Sequence, residues 1–120
     1  MIETAQAVEN LDAILDTPTL DGVYIGPADL SQSLGHQERV DPRHPELVAV
    51  IDRILDGCKR RGLIAGIHVG STDYAREMVD KGFQFVTILS DGRLLAGAAK
   101  QAVDTLKGGR PTVARPAGPY

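Results

Sequence analysis

Two carboxylates in this chain follow short apolar runs that have the pattern of β-strands. Glu3 comes after Met1-Ile2, and Asp29 comes shortly after Gly22 to Ile25 (GVYI). In parallel α/β folds the carboxyl ends of the strands share one edge, so both acids can converge on a ligand site. Adjacent carboxylates repel unless a cation or a shared proton compensates them, and all-oxygen ligation suits Mg²⁺, with Mn²⁺ or Co²⁺ as substitutes. From spacing alone, helix caps or solvated loop acids are the alternative.

The turn Gly26-Pro27-Ala28-Asp29 narrows the chemistry. Glycine permits close approach to the backbone, and proline makes the turn rigid. If a helical turn begins here, the amides of Ala28 and Asp29 form an anion cradle in which a small carboxylate fits beside a metal. The alternative is an ordinary strand-to-helix turn in which Asp29 is the N-cap.

His68 lies in a third strand-like run, Leu63 to Val69 (LIAGIHV). Alternation puts Ile64, Gly66 and His68 on one face of this strand, and we expect that less apolar face to point toward the ligand. The imidazole would then donate a hydrogen bond to a ligand hydroxyl or carboxylate. The alternative is a structural histidine that is satisfied by a neighbouring backbone group.

Other residues with reactive side chains have ordinary structural explanations. Cys58 lies on the apolar stripe of a predicted helix, which favours a buried hydrophobic role. The run of three cations at residues 59–61 is typical of a solvated helix end. His36 and His44 lie in a polar loop, where surface or capping roles are expected, and Asp91 is expected to cap the last helix.

Hydrophobic periodicity predicts the elements that position these groups. We expect a helix that Thr4 caps and Thr17-Pro18 ends, and further helices that begin at Pro45, Ser71 and Ser90. The predicted strands cover Gly22 to Ile25, residues 63–69 and part of residues 83–89. Residues 26–35 are expected to form a loop with one helical turn, and residues 36–45 an exposed loop. Apolar positions of the predicted helices should face inward, and those of the last three are Leu47, Ile51, Ile54, Leu55, Cys58, Ala75, Met78, Val79, Leu95, Ala98, Ala99, Ala102, Val103 and Leu106.

The order (β)α-βα-βα-βα predicts a parallel sheet with helical crossovers. Four such units are half of a (β/α)8 barrel, which usually needs about 250 residues. We therefore expect the C-terminal half of a barrel, as a fragment, in residues 1–109, followed by an extended tail in residues 110–120. A small doubly wound domain is the alternative, but it fits the very short first strand poorly.

Composition excludes several classes of function. The 120 residues carry a net charge of -3, with 42% hydrophobic and only 4% aromatic residues. No basic stripe or stacking surface for nucleic acid is present. No apolar run approaches the length of about 18 residues that a membrane span needs, and we expect no signal peptide. The single cysteine excludes an internal disulfide, so a cytoplasmic protein is expected.

Several motifs together resemble one family. IET at residues 2–4 and DGVYIGPADLSQSLG at 21–35 are similar to the HpcH/HpaI aldolases, which are metal-dependent class II pyruvate aldolases. GIHVGS at 66–71, FVTILSD at 85–91 and the terminal RPAGPY occur in the order of that family's C-terminal half. The resemblance covers essentially the whole chain.

The resemblance implies that Glu3 and Asp29 are metal ligands, and that Ala28 and Asp29 present backbone groups to the carboxylate of pyruvate. It also implies reversible cleavage of 4-hydroxy-2-oxo acids through a pyruvate enolate, a homo-oligomer of the complete barrel, and a position for His68 beside the aldehyde. The family's general-base histidine and stabilising arginine belong to the N-terminal half, and Met1 stands where some members carry a glutamine. The alternatives are a non-catalytic half-barrel that binds a metal or an oxo acid, and a truncated reading frame.

Overall fold

The computed structural model of the protein describes residues 1–108. Residues 1–89 form one compact unit, and a second unit begins at Ser90. The predicted tail, residues 110–120, lies outside the described residues, so the predicted domain boundary stays a prediction. The helices are α1 (Ala5–Glu9), α2 (Leu11–Leu15), α3 (Pro27–Ser33), α4 (Pro45–Arg61), α5 (Thr72–Lys81) and α6 (Asp91–Gly108), and the strands are β1 (Gly22–Ile25), β2 (Ile64–Val69) and β3 (Phe85–Ile88).

The three strands form a parallel sheet in the order β1-β2-β3. Ile2 adds a single parallel bridge to Ile25 at the β1 edge, and its backbone N–H donates to the carbonyl of Tyr24 at 2.8 Å. The chain thus runs through four neighbouring strand positions in sequence order. This order, with helical connections between the strands, is that of a barrel segment.

The two faces of the sheet have different environments. Ala65, Ile67 and Val69 of β2 are buried in one core with side chains of α4 and α5, so both helices cover the same face. A doubly wound domain needs helices on both faces, and the structure excludes that alternative for residues 1–89. The other face exposes apolar side chains, among them Ile64 and Phe85.

Helix α4 forms as its sequence predicts. Pro45 occupies its first turn, and Gly62 ends it in the left-handed conformation at φ 67°. All five apolar positions that we expected to face inward are buried, namely Leu47, Ile51, Ile54, Leu55 and Cys58. The last turn is held from outside, because Arg61 pairs with Asp12 and Asp16 of the α2 region at 3.1 and 2.7 Å.

Some predicted local details differ. The first helix is interrupted at Asn10, whose side-chain amide donates to the Gln6 carbonyl at 2.8 Å, a local bond that competes with helix continuation. Val79 was expected inside α5, but 55% of it is exposed. Residues 36–44 form the predicted loop, although Pro42 within it is buried because Tyr74 packs there and donates to its carbonyl at 3.2 Å.

The residue that caps helix α6 differs from the predicted one. Ser90 Oγ accepts from the backbone N–H of Arg93 at 3.4 Å, so Ser90 holds the N-cap position that was expected of Asp91. The apolar positions predicted to face inward are not buried: no residue of α6 is buried, and Leu95 is 73% exposed. Within residues 1–108, no helix combines the length and the apolar character needed to cross a membrane.

Candidate functional site

The carboxyl group of Glu3 lies against Gly26, at the end of β1. A Cβ atom built on Gly26 would overlap Glu3 Oε1 and approach its Cδ and Cγ to 3.0 Å. The absence of a side chain at Gly26 therefore leaves the space that the Glu3 carboxyl group occupies. This contact brings the first predicted acid to the start of the turn that carries the second.

Helix α3 begins directly after Gly26 and is longer than the single turn predicted. Gly26 is its N-cap, with extended φ and ψ of -100° and 92°, and Pro27 occupies the first helical position. The alternative in which Asp29 is the N-cap is therefore wrong, because Asp29 lies within the first turn. Within residues 1–108, the backbone N–H groups of Ala28 and Asp29 have no acceptor, as expected at a helix start.

The far end of α3 is tied to the segment that follows Glu3. Ser33 Oγ accepts from the backbone N–H of Ala5 at 2.9 Å, and Thr4 caps α1 by accepting from Ala7. Ser31, in the same helix, is fully buried, and its hydroxyl has no hydrogen-bond partner among the described residues. The two ends of α3 are thus held beside the Glu3 segment by Gly26 and Ser33.

A cavity of about 610 Å³ adjoins the start of α3. Ala28 and Asp29 line it together with Gln32, Gly35 and residues 36–39. Glu3, Gly26, Pro27 and His68 do not line this cavity, so it includes only part of the predicted set.

His68 lies on the predicted face of β2, the face that the helices do not cover. Its Nδ1 is 3.0 Å from Thr87 Oγ1 on β3, and the same oxygen is hydrogen-bonded to the hydroxyl of Tyr24 on β1. His68 is thus partnered by a side chain and not by the backbone group that the alternative required. One ring nitrogen, Nε2, has no partner among the described residues.

Sequence reasoning missed Tyr24 and Thr87 as members of this group. The two residues are 63 positions apart, and parallel pairing of three strands brings them together. Gly66 on β2 pairs with Tyr24 on one side and Phe85 on the other, and the rings of these two residues approach over it with centroids 5.6 Å apart. Strand alternation alone could have placed Thr87 on the face of Phe85, but not beside His68.

Cys58 has the buried position that was predicted for it. It is fully buried, and this burial raises the pKa of its thiol. Burial in apolar surroundings is the environment of a structural cysteine. At the neighbouring helix end, Lys59 donates to the Lys81 carbonyl at 2.6 Å.

Comparison with known proteins shows the family of the chain. Residues 1–98 match the model of HpcH/HpaI aldolase/citrate lyase. The chain belongs to this family. It is 41% identical over 103 residues to a hydroxypyruvate/pyruvate aldolase of Rhizorhabdus wittichii, a match that covers 86% of this chain and 41% of the relative. It is 37% identical over 115 residues to a 4-hydroxy-2-oxo-heptane-1,7-dioate aldolase of Escherichia coli, covering 96% of this chain and 43% of that enzyme.

A solved structure supports the same assignment. A HpcH/HpaI family protein from Burkholderia cenocepacia superposes with a TM-score of 0.83 at 35% identity, over 88% of this chain and 40% of that one. The chain therefore spans about two fifths of the length of the relatives it matches. The predicted family and the predicted class, an α/β fold that forms part of a larger barrel, are confirmed.

Proposed function

We propose that this chain provides the metal- and oxo-acid-binding part of a class II aldolase, a carbon–carbon lyase that cleaves or forms 4-hydroxy-2-oxo acids through a pyruvate enolate. The observation that carries the proposal is the contact of the Glu3 carboxyl group with Gly26, one residue before the helix that bears Asp29. Two relatives named as 2-oxo-acid aldolases support the reaction class.

The residues present suit a divalent metal. Glu3 and Asp29 offer carboxylate oxygens at one end of the β1 region, and the missing side chain of Gly26 leaves room for one of them. Oxygen donors of this kind favour Mg²⁺, with Mn²⁺ or Co²⁺ as substitutes. When bound, such a cation would draw electron density from the carboxylate and keto oxygens of a 2-oxo acid and lower the cost of enolate formation.

The turn residues have the complementary task of orienting the substrate. The free backbone N–H groups of Ala28 and Asp29 would donate to the carboxylate of pyruvate, and Gly26 and Pro27 hold that turn in place. Asp29 would thus offer its side-chain oxygen to the metal and its backbone N–H to the neighbouring substrate carboxylate. Rigid placement matters here because orientation contributes strongly to catalysis.

His68 is proposed to contact the acceptor aldehyde. Because Thr87 engages Nδ1, the ring presents Nε2 to the uncovered face, where it would hydrogen-bond to a hydroxyl or carboxylate of the aldehyde. In a complete barrel, as long as the relatives of this chain, His68→Leu should reduce the preference for a hydroxylated over an alkyl aldehyde. The expected change in the kcat/KM ratio is about fivefold, or about 1 kcal/mol. Equal changes for both aldehydes would make His68 structural.

The ligand assignment is tested by metal titration. Mn²⁺ binding, followed by electron paramagnetic resonance or calorimetry, should lose most of its affinity in Glu3→Gln and in Asp29→Asn. Asp73→Asn, which removes an exposed carboxylate from the first turn of α5, is the matched control and should bind as the wild type does. Unchanged affinity in both site variants would overturn the assignment.

The proposal extends to assembly, which the resemblance implies, and to location, which the composition favours. We propose a homo-oligomer of the complete barrel in the cytoplasm, with small-molecule substrates and without nucleic-acid or membrane partners. The exposed apolar side chains of α6, including Leu95 and Leu106, offer one surface for association. Light scattering of a complete barrel, as long as the relatives of this chain, should report an oligomer at micromolar concentration. A monomer would contradict this proposal.

A further inference from the structure

Two histidines and one glutamate come together outside the proposed aldolase site. Ligand atoms of His36, His44 and Glu46 all lie within 4.8 Å of one another. His36 Nε2 is 3.1 Å from Glu46 Oε2, and the two imidazole rings have centroids 4.1 Å apart. His36 follows α3, whereas His44 and Glu46 lie at the start of α4.

Backbone contacts hold both halves of this cluster. The N–H of His36 donates to the Ser31 carbonyl at 2.9 Å, which fixes the residue to the end of α3. The Glu38 carboxylate accepts from the N–H groups of Arg43 and His44, both at 3.1 Å, and so closes the loop between the two histidines. The side chains therefore project from anchored positions on a closed loop.

The donor set determines which ions it suits. Two imidazole nitrogens and one carboxylate oxygen are borderline ligands that favour Zn²⁺ and its transition-metal neighbours over Mg²⁺. Bonds of about 2.0–2.1 Å in a tetrahedral site would place these donor atoms about 3.4 Å apart. The exposed side chains of His44 and Glu46 can close the remaining gap by rotation, since His44 makes no side-chain capping bond.

We propose that His36, His44 and Glu46 form a site for a transition-metal dication of the Zn²⁺ class, which fastens the end of α3 to the start of α4. Three protein ligands leave a fourth position for water. His36 also lines the cavity that contains Asp29, so the ion would stiffen one wall of that cavity. This site is independent of the carboxylate pair and does not depend on the aldolase proposal.

The experiment titrates the untagged 120-residue chain, with Mg²⁺ in excess to occupy the proposed oxygen site, with Zn²⁺ by calorimetry and with Co²⁺ by visible absorption. We expect one tight equivalent per chain, with affinity lowered at least about 100-fold in His36→Ala and His44→Ala, because each removes a direct ligand. Glu46→Gln keeps the shape of the side chain and should weaken binding less. Circular dichroism checks that each variant remains folded.

The chain supplies its own controls. His68→Ala removes the third histidine, and Asp73→Asn removes an exposed carboxylate outside both proposed metal sites, so both should bind Zn²⁺ like the wild type. Histidine ring NMR signals should shift on Zn²⁺ addition for residues 36 and 44 and stay in place for residue 68. The proposal is overturned if removal of His44 leaves the affinity unchanged, or if His68→Ala weakens binding equally.

Discussion

Replacing Gly26 with alanine should weaken the proposed metal binding while the fold of this turn is kept. The three atoms nearest to the added Cβ are Oε1, Cδ and Cγ of Glu3, all in a flexible side chain. Alanine tolerates the Gly26 backbone angles of -100° and 92°. The carboxyl group of Glu3 should therefore move away while the backbone remains in place.

The cost in stability should be small. Alanine is a poorer N-cap than glycine by about 1 kcal/mol, and the lower entropy of the unfolded chain offsets about 0.4–1 kcal/mol of this. The free energy of unfolding should thus change by no more than about 1 kcal/mol. Displacing Glu3 should lower Mn²⁺ affinity by about 10–100-fold, or about 1.4–2.7 kcal/mol, as for other groups that orient a metal ligand.

Urea denaturation and Mn²⁺ titration measure the two effects on the same samples. Gly97→Ala is the control, because nothing lies within 4 Å of a Cβ added there in α6. It should leave Mn²⁺ affinity unchanged. Wild-type affinity in Gly26→Ala would refute the role of the Glu3 carboxyl group at this position. A loss of several kcal/mol in stability would show that the backbone yields instead of the side chain.

Three further predictions concern stability and activity. Ser31→Ala should be neutral or stabilise the protein by up to about 1 kcal/mol, because it removes a buried hydroxyl that has no partner among the described residues. Ser33→Ala should destabilise the protein by about 1 kcal/mol, because it breaks the hydrogen bond from the Ala5 N–H. The midpoints of urea denaturation compare the stability of the two variants. Burial raises the pKa of Tyr74 to about 12, whereas an unfolded tyrosine titrates near about 10. Stability should therefore be independent of Tyr74 below about pH 10 and fall by about 2–3 kcal/mol between about pH 10 and 12, because the unfolded state loses the proton first. In denaturation experiments across that pH range, the stability of Tyr74→Phe should not show this decline. An equal decline in both proteins would contradict the attribution of the effect to Tyr74. The isolated chain should show no appreciable retro-aldol turnover with pyruvate-releasing substrates, because no residue among positions 1–108 is placed as the base and general acid–base catalysis is typically worth about 10²–10⁴-fold. Efficient turnover would show that the base lies in this chain.

Local chemistry determined most of the elements from the sequence alone. The stripe of α4, its initial Pro45 and its terminal Gly62 agree with each other, so helix, bounds and buried face were all predictable. The same holds for the caps Thr4 and Ser71, which act on amides three residues away. Such signals are readable because the interacting groups are close in sequence.

Tertiary structure determined the contacts between segments that are distant in the sequence. The contact of Glu3 with Gly26 requires Ile2 to pair with β1, and the Tyr24–Thr87–His68 group requires three strands in register. Val79 was misplaced for a related reason, because helical spacing leaves the edge of an apolar stripe undefined until the sheet it faces is known. The sequence by itself specified helices, strands and the acids at their ends. Which side chains meet depended on parallel strand pairing, since register brings together residues whose separation along the chain carries no local signal.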